Sequence, residues 1–271
     1  MATKDEILTR LLKEENYVSG EELARQTGVS RAAVWKAIKS LKKSGYDIEG
    51  VTKCGYKLKQ NNSLVTAEGV KALLERDIEV THFDTVDSTN TYCKRLLADG
   101  KQGEFLVTAA KQTAGRGRQG KSFYSPSETG IYFSLVIRPD TSLQNAVTAT
   151  TAAAVCKAIE KTTDLKPKIK WVNDVYLNGK KVCGILTEAT TDFESGTVDS
   201  VIIGIGINIS TTKFPSDVQG AGCLDVDVNR SALIAQTVNE LMKIAGGDYA
   251  SFIDYYRSHS MVIGEKIKFI Q

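Results

Sequence analysis

The stretch KQTAGRGRQGKSFYSPSETG, Lys111 to Gly130, separates two apolar segments, Phe105 to Ala110 and Ile131 to Ile137, both rich in β-branched and aromatic residues. The residues after its glycines decide the fold. Gly115 to Ser122 satisfies GxxxxGK[ST] and Gly115 to Gly120 satisfies GxGxxG, yet both patterns need a helix directly after the loop, because the phosphate rests on that helix's N-terminus. Here Phe123, Tyr124, Ser125 and Pro126 come next, then a turn-like SETG and a strand. The context is strand, loop, strand, so neither nucleotide-loop mechanism is supported. What remains is a basic loop in which Gly115, Gly117 and Gly120 allow positive φ and a close approach to an anion. Arg116, Arg118 and Lys121 supply charge and guanidinium forks for phosphate or carboxylate. The alternative is a solvated basic loop without a ligand.

Upstream, Ile7, Leu8, Leu11 and Leu12 recur at helical spacing. Ser19, three residues before Glu22, caps a second helix that Gly28 ends; Ser30 caps a third that runs towards Ser44. On the third helix Val34, Ile38 and Leu41 share one face and Lys36, Lys39 and Lys43 another, with Arg31 near its start. Tyr46 to Leu58 reads as a two-stranded wing. Residues 31 to 59 carry eight Lys or Arg against two acids, a local charge of +6 within a chain of net +3, which points to a polyanionic partner. A winged helix-turn-helix on DNA fits, with Ser30, Arg31, Trp35, Lys36, Lys39, Lys43 and Lys53 as contacts. The alternative is a helical packing domain with solvated lysines, and Trp35 suits either packing or the groove.

Downstream, Thr66 caps TAEGVKALLER, Val80 to Val86 is strand-like, and Asp87-Ser88-Thr89-Asn90 opens a helix through Leu97. The DSTN cluster serves as a cap alone or also as a polar cradle for a small head group. Ser142 opens a long helix. Ile169 to Leu177 reads as strand, and Asn178-Gly179 is a type I′ hairpin signal that turns the chain back over Lys180 to Glu188. Lys181 then faces the Asn173-Asp174 region, as a structural ion pair or as part of a site. Gly204 and Gly206, in the strand Val198 to Ile209, leave room for a ligand against the backbone. Thr211 to Asn229 is a polar loop; Ser231 to Ala245 and Asp248 to Ser260 are helical, and Val262 onward starts a strand.

The five cysteines are scattered and never form CxxC, and the two histidines are far apart, so disulfides, a zinc site and a histidine triad lack support and no metal ligands are assigned. The charged start and the lack of a long apolar run make a cytoplasmic location, without a membrane partner, the expectation.

Gly115 to Lys121, Lys170-Trp171-Val172-Asn173-Asp174, Lys181 to Leu186 and Gly206-Ile207-Asn208, taken in order, resemble biotin protein ligases. The N-terminal winged helix makes the chain look like the bifunctional type that is also the biotin operon repressor. The resemblance implies an α+β protein with three parts. A winged helix occupies residues 1–63, and a mixed-sheet ligase domain of the class II synthetase-like type occupies 64–260. Residues 261–271 would be the start of a truncated C-terminal SH3-like barrel, absent beyond its first strand. It implies ATP-dependent formation of biotinyl-5′-AMP and transfer of biotin to a lysine of a biotin carboxyl carrier protein, of acetyl-CoA carboxylase or another biotin-dependent carboxylase. Biotinyl-5′-AMP would also act as corepressor, with ligand-favoured homodimerisation on operator DNA, and Mg²⁺ would accompany ATP.

By the same resemblance Ser88, Thr89, Asn90, Gln112, Gly115, Arg116, Gly117, Arg118, Lys181, Gly204 and Gly206 hold biotin. Arg118, Lys121, Trp171, Asn173 and Asn208 surround the adenylate, and Lys181, Arg118 and Asp174 are the catalytic groups. Val172 stands where the family has proline, and Phe123 where it has tryptophan. The alternative is a biotin-sensing transcription factor that no longer catalyses. A lipoate or octanoyl transferase of the related fold gives no reason for pairing DSTN with GRGRQGK.

Overall fold

The computed structural model describes residues 2–14, 16–59, 63–138, 146–191, 198–245 and 249–266. Three helices come first, α1 (Ala2–Lys13), α2 (Gly20–Thr27) and α3 (Arg31–Lys43). An antiparallel hairpin follows, β1 (Ile48–Val51) with β2 (Gly55–Leu58). Ser19 Oγ accepts from the Glu22 amide at 3.0 Å and Ser30 Oγ from the Ala33 amide at 3.2 Å, each satisfying a donor that the first helical turn leaves free. Gly28, at φ 66°, turns the chain between α2 and α3. Ile7, Leu8, Leu11, Leu23, Val34, Ile38, Leu41 and Ile48 close a core of their own. The wing is tied back where Val18 and Tyr56 exchange backbone hydrogen bonds of 2.8 Å. A Cβ on Gly55, whose φ is 110°, would lie 2.1 Å from the Val18 carbonyl oxygen, so only glycine fits there.

The rest is a seven-stranded mixed sheet with helices. In chain order its elements are α4 (Ala67–Lys71), β3 (Glu79–Phe83), α5 (Thr89–Ala98), β4 (Phe105–Ala109), β5 (Gly130–Ile137), α6 (Val147–Thr162), β6 (Lys168–Lys170), β7 (Asp174–Leu177), β8 (Lys180–Thr191), β9 (Val198–Asn208), α7 (Arg230–Ala245) and α8 (Tyr249–His259). The strands lie in the order β3-β4-β5-β9-β8-β7-β6, parallel at β3-β4 and antiparallel elsewhere. Strand alternation sets the two faces. Ile131, Phe133 and Leu135 of β5 and Ile203, Ile205 and Ile207 of β9 join the main core with α6, α7 and α8. The intervening residues, Tyr132, Ser134 and Val136 with Ile202, Gly204, Gly206 and Asn208, face the other way. Helix α5 covers part of that second face through Cys93, packed with Phe105, Val107, Val136 and Ile202. The loop from Ala110 to Thr129 lies over the remainder.

Several sequence expectations need correction. The helix capped by Thr66 ends at Lys71. Asn239 of α7 accepts from the Glu75 amide at 3.0 Å and donates to the Leu73 carbonyl at 3.1 Å, holding the following backbone out of helical pairing. Ile169 to Leu177 is not one strand: Lys170 pairs with Asp174 across a tight turn, so Trp171, Val172 and Asn173 form the tip of a β6-β7 hairpin. The type I′ turn does form, with Asn178 at φ 49° and Gly179 at φ 77°. Val262 to Glu265 is turn rather than strand. Ser260 Oγ accepts from the amides of Val262 and Ile263 at 3.2 Å each, and Gly264 adopts φ 84°. Residues 267–271, and the helix start expected at Ser142, lie outside the described residues; the helix itself is described from Val147.

His82 of β3 is half-buried, with its Nδ1 2.8 Å from Thr108 Oγ1. Burial holds its imidazole below the ordinary 6.5, while the charges of Asp84 and Glu68 pull it back up. The unfolded chain therefore takes up this proton first. Stability owed to His82 is intact above about 6.5 and is lost as pH falls from there through the folded-state value. Melting temperatures of the parent and His82→Gln, compared from about pH 7.5 to about pH 5.5, should diverge, the parent losing more. Parallel curves would count against it. All five cysteines are free thiols, as their spacing implies.

Candidate functional site

Helix α5 begins under the sheet's second face, and its first residues do more than cap it. Ser88 Oγ accepts from the Thr91 amide at 3.4 Å, a conventional cap. The Thr89 amide and hydroxyl both donate to Gln112 Oε1, at 2.9 and 3.1 Å. Gln112 Nε2 in turn donates to Ser125 Oγ, which donates to the Phe123 carbonyl. Ser134 Oγ lies 2.6 Å from Asn90 Oδ1 and 2.7 Å from Thr89 Oγ1. Asn90, only 3% exposed, donates through Nδ2 to the Leu186 carbonyl and to Glu188. The result is a connected polar cradle whose members fix one another's orientation.

Beside the cradle the sheet is bare. Gly184 of β8 and Gly206 of β9 pair with each other, as do Leu186 and Gly204. Gly204 and Gly206 line a cavity against the backbone, and the same bare strand also admits neighbouring side chains. A Cβ on Gly204 would lie 2.1 Å from Asn90 Oδ1, and one on Gly206 would lie 2.3 Å from the Phe123 ring. Their missing side chains make room for two other side chains of the same protein. The loop glycines differ from expectation. Only Gly120 among them has positive φ, at 73°, and Gln119 shares that region at 55°. Gly115 is needed for close approach instead, since a Cβ there would meet the Phe123 carbonyl oxygen at 2.3 Å.

Two cavities meet here. The first, of about 50 Å³, is lined by Ser88, Thr89, Asn90 and Gln112 at one end and by Arg118, Asn173 and Lys181 at the other, with Arg116, Gly117, Gly204 and Gly206 along it. The second, of about 520 Å³, is lined by Lys121, Tyr124, Asn208, Phe214, Asp217 and Val218 among others. Phe123 and Lys181 belong to both. The segment from Thr211 to Asn229 builds the outer wall of the second. The backbone of Lys181 bonds to Gly220 and Gly222 at 2.8 Å, and Asn208 Nδ2 donates to the Gly222 carbonyl at 2.9 Å. Asn208 Oδ1 is buried and has no hydrogen-bond partner among the described residues.

Lys181 Nζ stands 2.6 Å from Asp174 Oδ1. The approach is off-line, so Asp174 Oδ1 has an ion-pair partner but no aligned donor among the described residues. The register explains the geometry: Lys181 sits opposite Tyr176, and a bulge in β8, opposite Val175 and Tyr176, lets it reach back to Asp174. Arg118 Nη1 donates to Asn173 Oδ1 at 2.9 Å, tying the loop to the β6-β7 tip. Lys121 and Asn208, expected at the adenylate, line the second cavity. Two expected residues stand apart: Gly115 lines an outer groove behind the loop, and Trp171 is 67% exposed, edge-on to Tyr256.

On α3 the buried Val34, Ala37, Ile38 and Leu41 leave Arg31, Trp35, Lys36, Lys39 and Lys43 exposed on the opposite side. Trp35 is 55% exposed, with Lys39 Nζ 5.2 Å from its ring centre, so it belongs to the cationic side and not to the core. Ser30 is exposed at the helix start, and Lys53 turns the wing at φ 70°.

Residues 82–208 match the model of the Biotin/lipoate A/B protein ligase family, and residues 3–57 match that of an HTH domain. The bifunctional ligase/repressor BirA of Escherichia coli is 31% identical over 241 residues, covering 86% of this chain and 74% of that protein. The chain belongs to the bifunctional ligase/repressor family. A second member, BirA of Bacillus subtilis, is 37% identical over 210 residues, 75% of this chain; the match spans 64% of that relative's length. Among solved structures, the biotin protein ligase from Aquifex aeolicus in complex with biotin and ATP superposes with a TM-score of 0.57 at 28% identity, covering 69% of this chain and 80% of that one. The biotin protein ligase from Leishmania major, at TM-score 0.60 and 22% identity over 71% of this chain and 85% of that one, shares the fold.

In this member of the family, sequence reasoning missed Glu188 and the second cavity's aromatic wall of Phe123, Tyr124 and Phe214. An acidic residue inside the apolar run VCGILTEA was the available signal for Glu188, because a carboxylate on a central strand needs partners. It has them: Lys94 at 2.8 Å and Arg116 at 3.1 Å, besides Asn90. Burial alone would raise its pKa, but the hydrogen bonds from Lys94 and Asn90 and the charges of Lys94 and Arg116 outweigh this and hold it below the usual carboxylate range. Among the described residues no helix is long and apolar enough to cross a membrane.

Proposed function

We propose that this chain activates biotin with ATP to biotinyl-5′-AMP and transfers biotin to a lysine of a biotin carboxyl carrier protein. Its winged helix binds operator DNA as a homodimer when biotinyl-5′-AMP is held. The observation that carries this reading is the shared wall: Lys181 stands where the two cavities meet, so a carboxylate from the first and a phosphate from the second would come together at its ammonium. Ser88, Thr89, Asn90 and Gln112 suit a ureido ring, which needs both donors and acceptors. At about 50 Å³ the first cavity has room for a few waters rather than for biotin. Entry therefore lifts Phe123 from the floor of Gly184 and Gly206, and the loop closes again over the ligand.

In the first step a biotin carboxylate oxygen bonds to the α-phosphorus, and the bond to the bridging oxygen breaks as pyrophosphate leaves. Lys181 and Arg118 supply positive charge where the pentacoordinate phosphate becomes more negative. Once the Lys181 ammonium turns to the phosphates, Asp174 is released to receive the carrier lysine's amine and to accept its proton as nitrogen attacks the acyl carbon and AMP departs. The closed loop keeps water from the anhydride. Asn208, with its unmatched Oδ1, offers an acceptor to an adenine amino group. Mg²⁺ fits as part of the nucleotide substrate. The described residues hold no cluster of three or more His, Cys, Asp or Glu, so the phosphates would be its main ligands. Arg31, Trp35, Lys36, Lys39, Lys43 and Lys53 contact DNA, with Ser30 at the helix start.

Biotin-dependent exchange of labelled pyrophosphate into ATP tests the first half-reaction without a carrier. Exchange that requires biotin is the expected result. Tight biotin binding without exchange would favour a sensor that does not catalyse, and no biotin binding would overturn the proposal.

A further inference from the structure

Glu188 is a carboxylate on the site face of β8, two residues beyond Leu186, and its side chain is 16% exposed. Three side chains from two separate elements converge on it. Asn90 Nδ2 of α5 donates at 2.9 Å, Lys94 Nζ of the same helix at 2.8 Å, and Arg116 of the glycine loop through Nη1 at 3.2 Å, its Nη2 standing at 3.1 Å. Asn90 and Arg116 belong to different parts of the site, one to the cradle and the other to its lid. They share one acceptor group.

That sharing has a chemical consequence. An amide side chain can turn either end to a neighbour, and an ionised carboxylate accepts only the NH₂ end. Glu188 and the Leu186 carbonyl, both acceptors, together set Asn90 with Nδ2 toward β8 and Oδ1 toward Ser134 and the bare floor of Gly204, the carboxylate making the shorter bond. The same two oxygens hold the Arg116 guanidinium, and the backbone of Arg116 pairs with Ser122 across the loop. At its far side the loop is held by Gln112 through Ser125 and the Phe123 carbonyl. Both attachments lead back to the α5 cradle.

We propose that Glu188 is a positioning residue that couples occupancy of the Asn90 cradle to closure of the glycine loop. It rests on the biotin-ligase reading and adds to it a latch outside the reacting atoms. A ligand seated on Asn90 Oδ1 favours the amide orientation that Glu188 needs, and Glu188 so engaged holds Arg116; by linkage, a held Arg116 favours the ligand to the same degree. Lys94, on the solvent side of the pair, balances charge.

Glu188→Gln keeps the shape and removes the charge. Without ligand, tryptic cleavage in the loop at Arg116, Arg118 and Lys121 should rise about tenfold or more, the scale of one hydrogen bond to a charged group. KM for biotin in pyrophosphate exchange should rise by about ten- to a hundredfold with kcat and KM for ATP nearly unchanged, a split that general destabilisation would not produce. Glu188→Asp should recover part of the loss, and Lys94→Met should cost about fivefold or less. Arg116→Met, at an exposed side chain that cannot unfold the sheet, should loosen the loop equally. The Glu188→Gln/Arg116→Met double variant should be no worse than the poorer single. Unchanged cleavage in Glu188→Gln, or fully additive losses in the double variant, would overturn the latch whether or not biotin proves to be the ligand. A parent protein with no biotin-dependent exchange would instead overturn the ligase reading, and the ligand half of the coupling with it.

Discussion

Lys181→Ala is expected to lower the rate of biotin-dependent pyrophosphate exchange by about 10²–10³-fold, the usual effect of deleting one preorganised group that meets developing charge. The ammonium is the one cationic group common to both cavities, among the described residues that line them, so no neighbour can stand in for it. Arg118 borders only the first cavity and Lys121 only the second. Ground-state binding should change much less than rate, because on the proposed reading the ureido end of biotin would be held some distance away by Thr89, Asn90 and Gln112. Folding stability should fall by about 1–3 kcal/mol as well, the cost of leaving a buried acceptor without its partner, since Asp174 Oδ1 is buried and pairs with Lys181. Steady-state exchange alongside a melting curve separates these effects. Exchange within about threefold of the parent would remove Lys181 from the chemistry.

Gly204→Ala should impair both the cradle and the fold. The added methyl would lie 2.1 Å from Asn90 Oδ1 and 2.8 Å from its Cγ. Asn90 cannot simply swing away, because its amide is bonded to Leu186, Glu188 and Ser134 and is 3% exposed. Either β9 shifts or the amide loses its partners. Overpacking of this kind costs about 1–3 kcal/mol in stability, and biotin affinity should fall by about ten- to a hundredfold once a charged-group hydrogen bond is lost. Gly206→Ala is the informative contrast. Its methyl meets the Phe123 ring at 2.3 Å, and Phe123 sits on the loop proposed to lift, so this variant should keep its melting temperature while its loop becomes easier to cleave. Equal loss of stability in both variants would mean that the loop is as rigidly seated as α5.

The local features were legible because local chemistry sets them. Ser19, Ser30, Thr66 and Ser88 cap helices where their hydroxyls meet free amides, and Asn178-Gly179 turns the hairpin because both residues tolerate positive φ. The helix-turn-helix was readable from Gly28 and from the separation of Val34, Ile38 and Leu41 from the lysines of α3. The rejection of a nucleotide loop at Gly115 to Ser122 also held, since β5 and not a helix follows.

The winged helix, most of the helices and strands in their order, and most of the residue types gathered in the first cavity were therefore readable from the letters alone. Contacts between strands and loops far apart in the chain were decided by tertiary structure. Ile169 to Leu177 carries enough apolar residues for one strand, and only pairing of Lys170 with Asp174 reveals the turn at Trp171 to Asn173. Gly204 and Gly206 line the first cavity, and only the approach of Asn90 and Phe123 shows which side chains share that bare strand. Lys181 became the junction of two cavities because a bulge in β8, opposite Val175 and Tyr176, brings it to Asp174 while Gly220 and Gly222 fold over from a segment with no periodicity of its own. Glu188 is one acidic letter in an apolar run until Asn90, Lys94 and Arg116 arrive from other parts of the chain. The physical reason is the same in each case. Caps and turns satisfy backbone groups within a few residues, whereas cavities and shared acceptors exist only where segments distant in sequence are packed together.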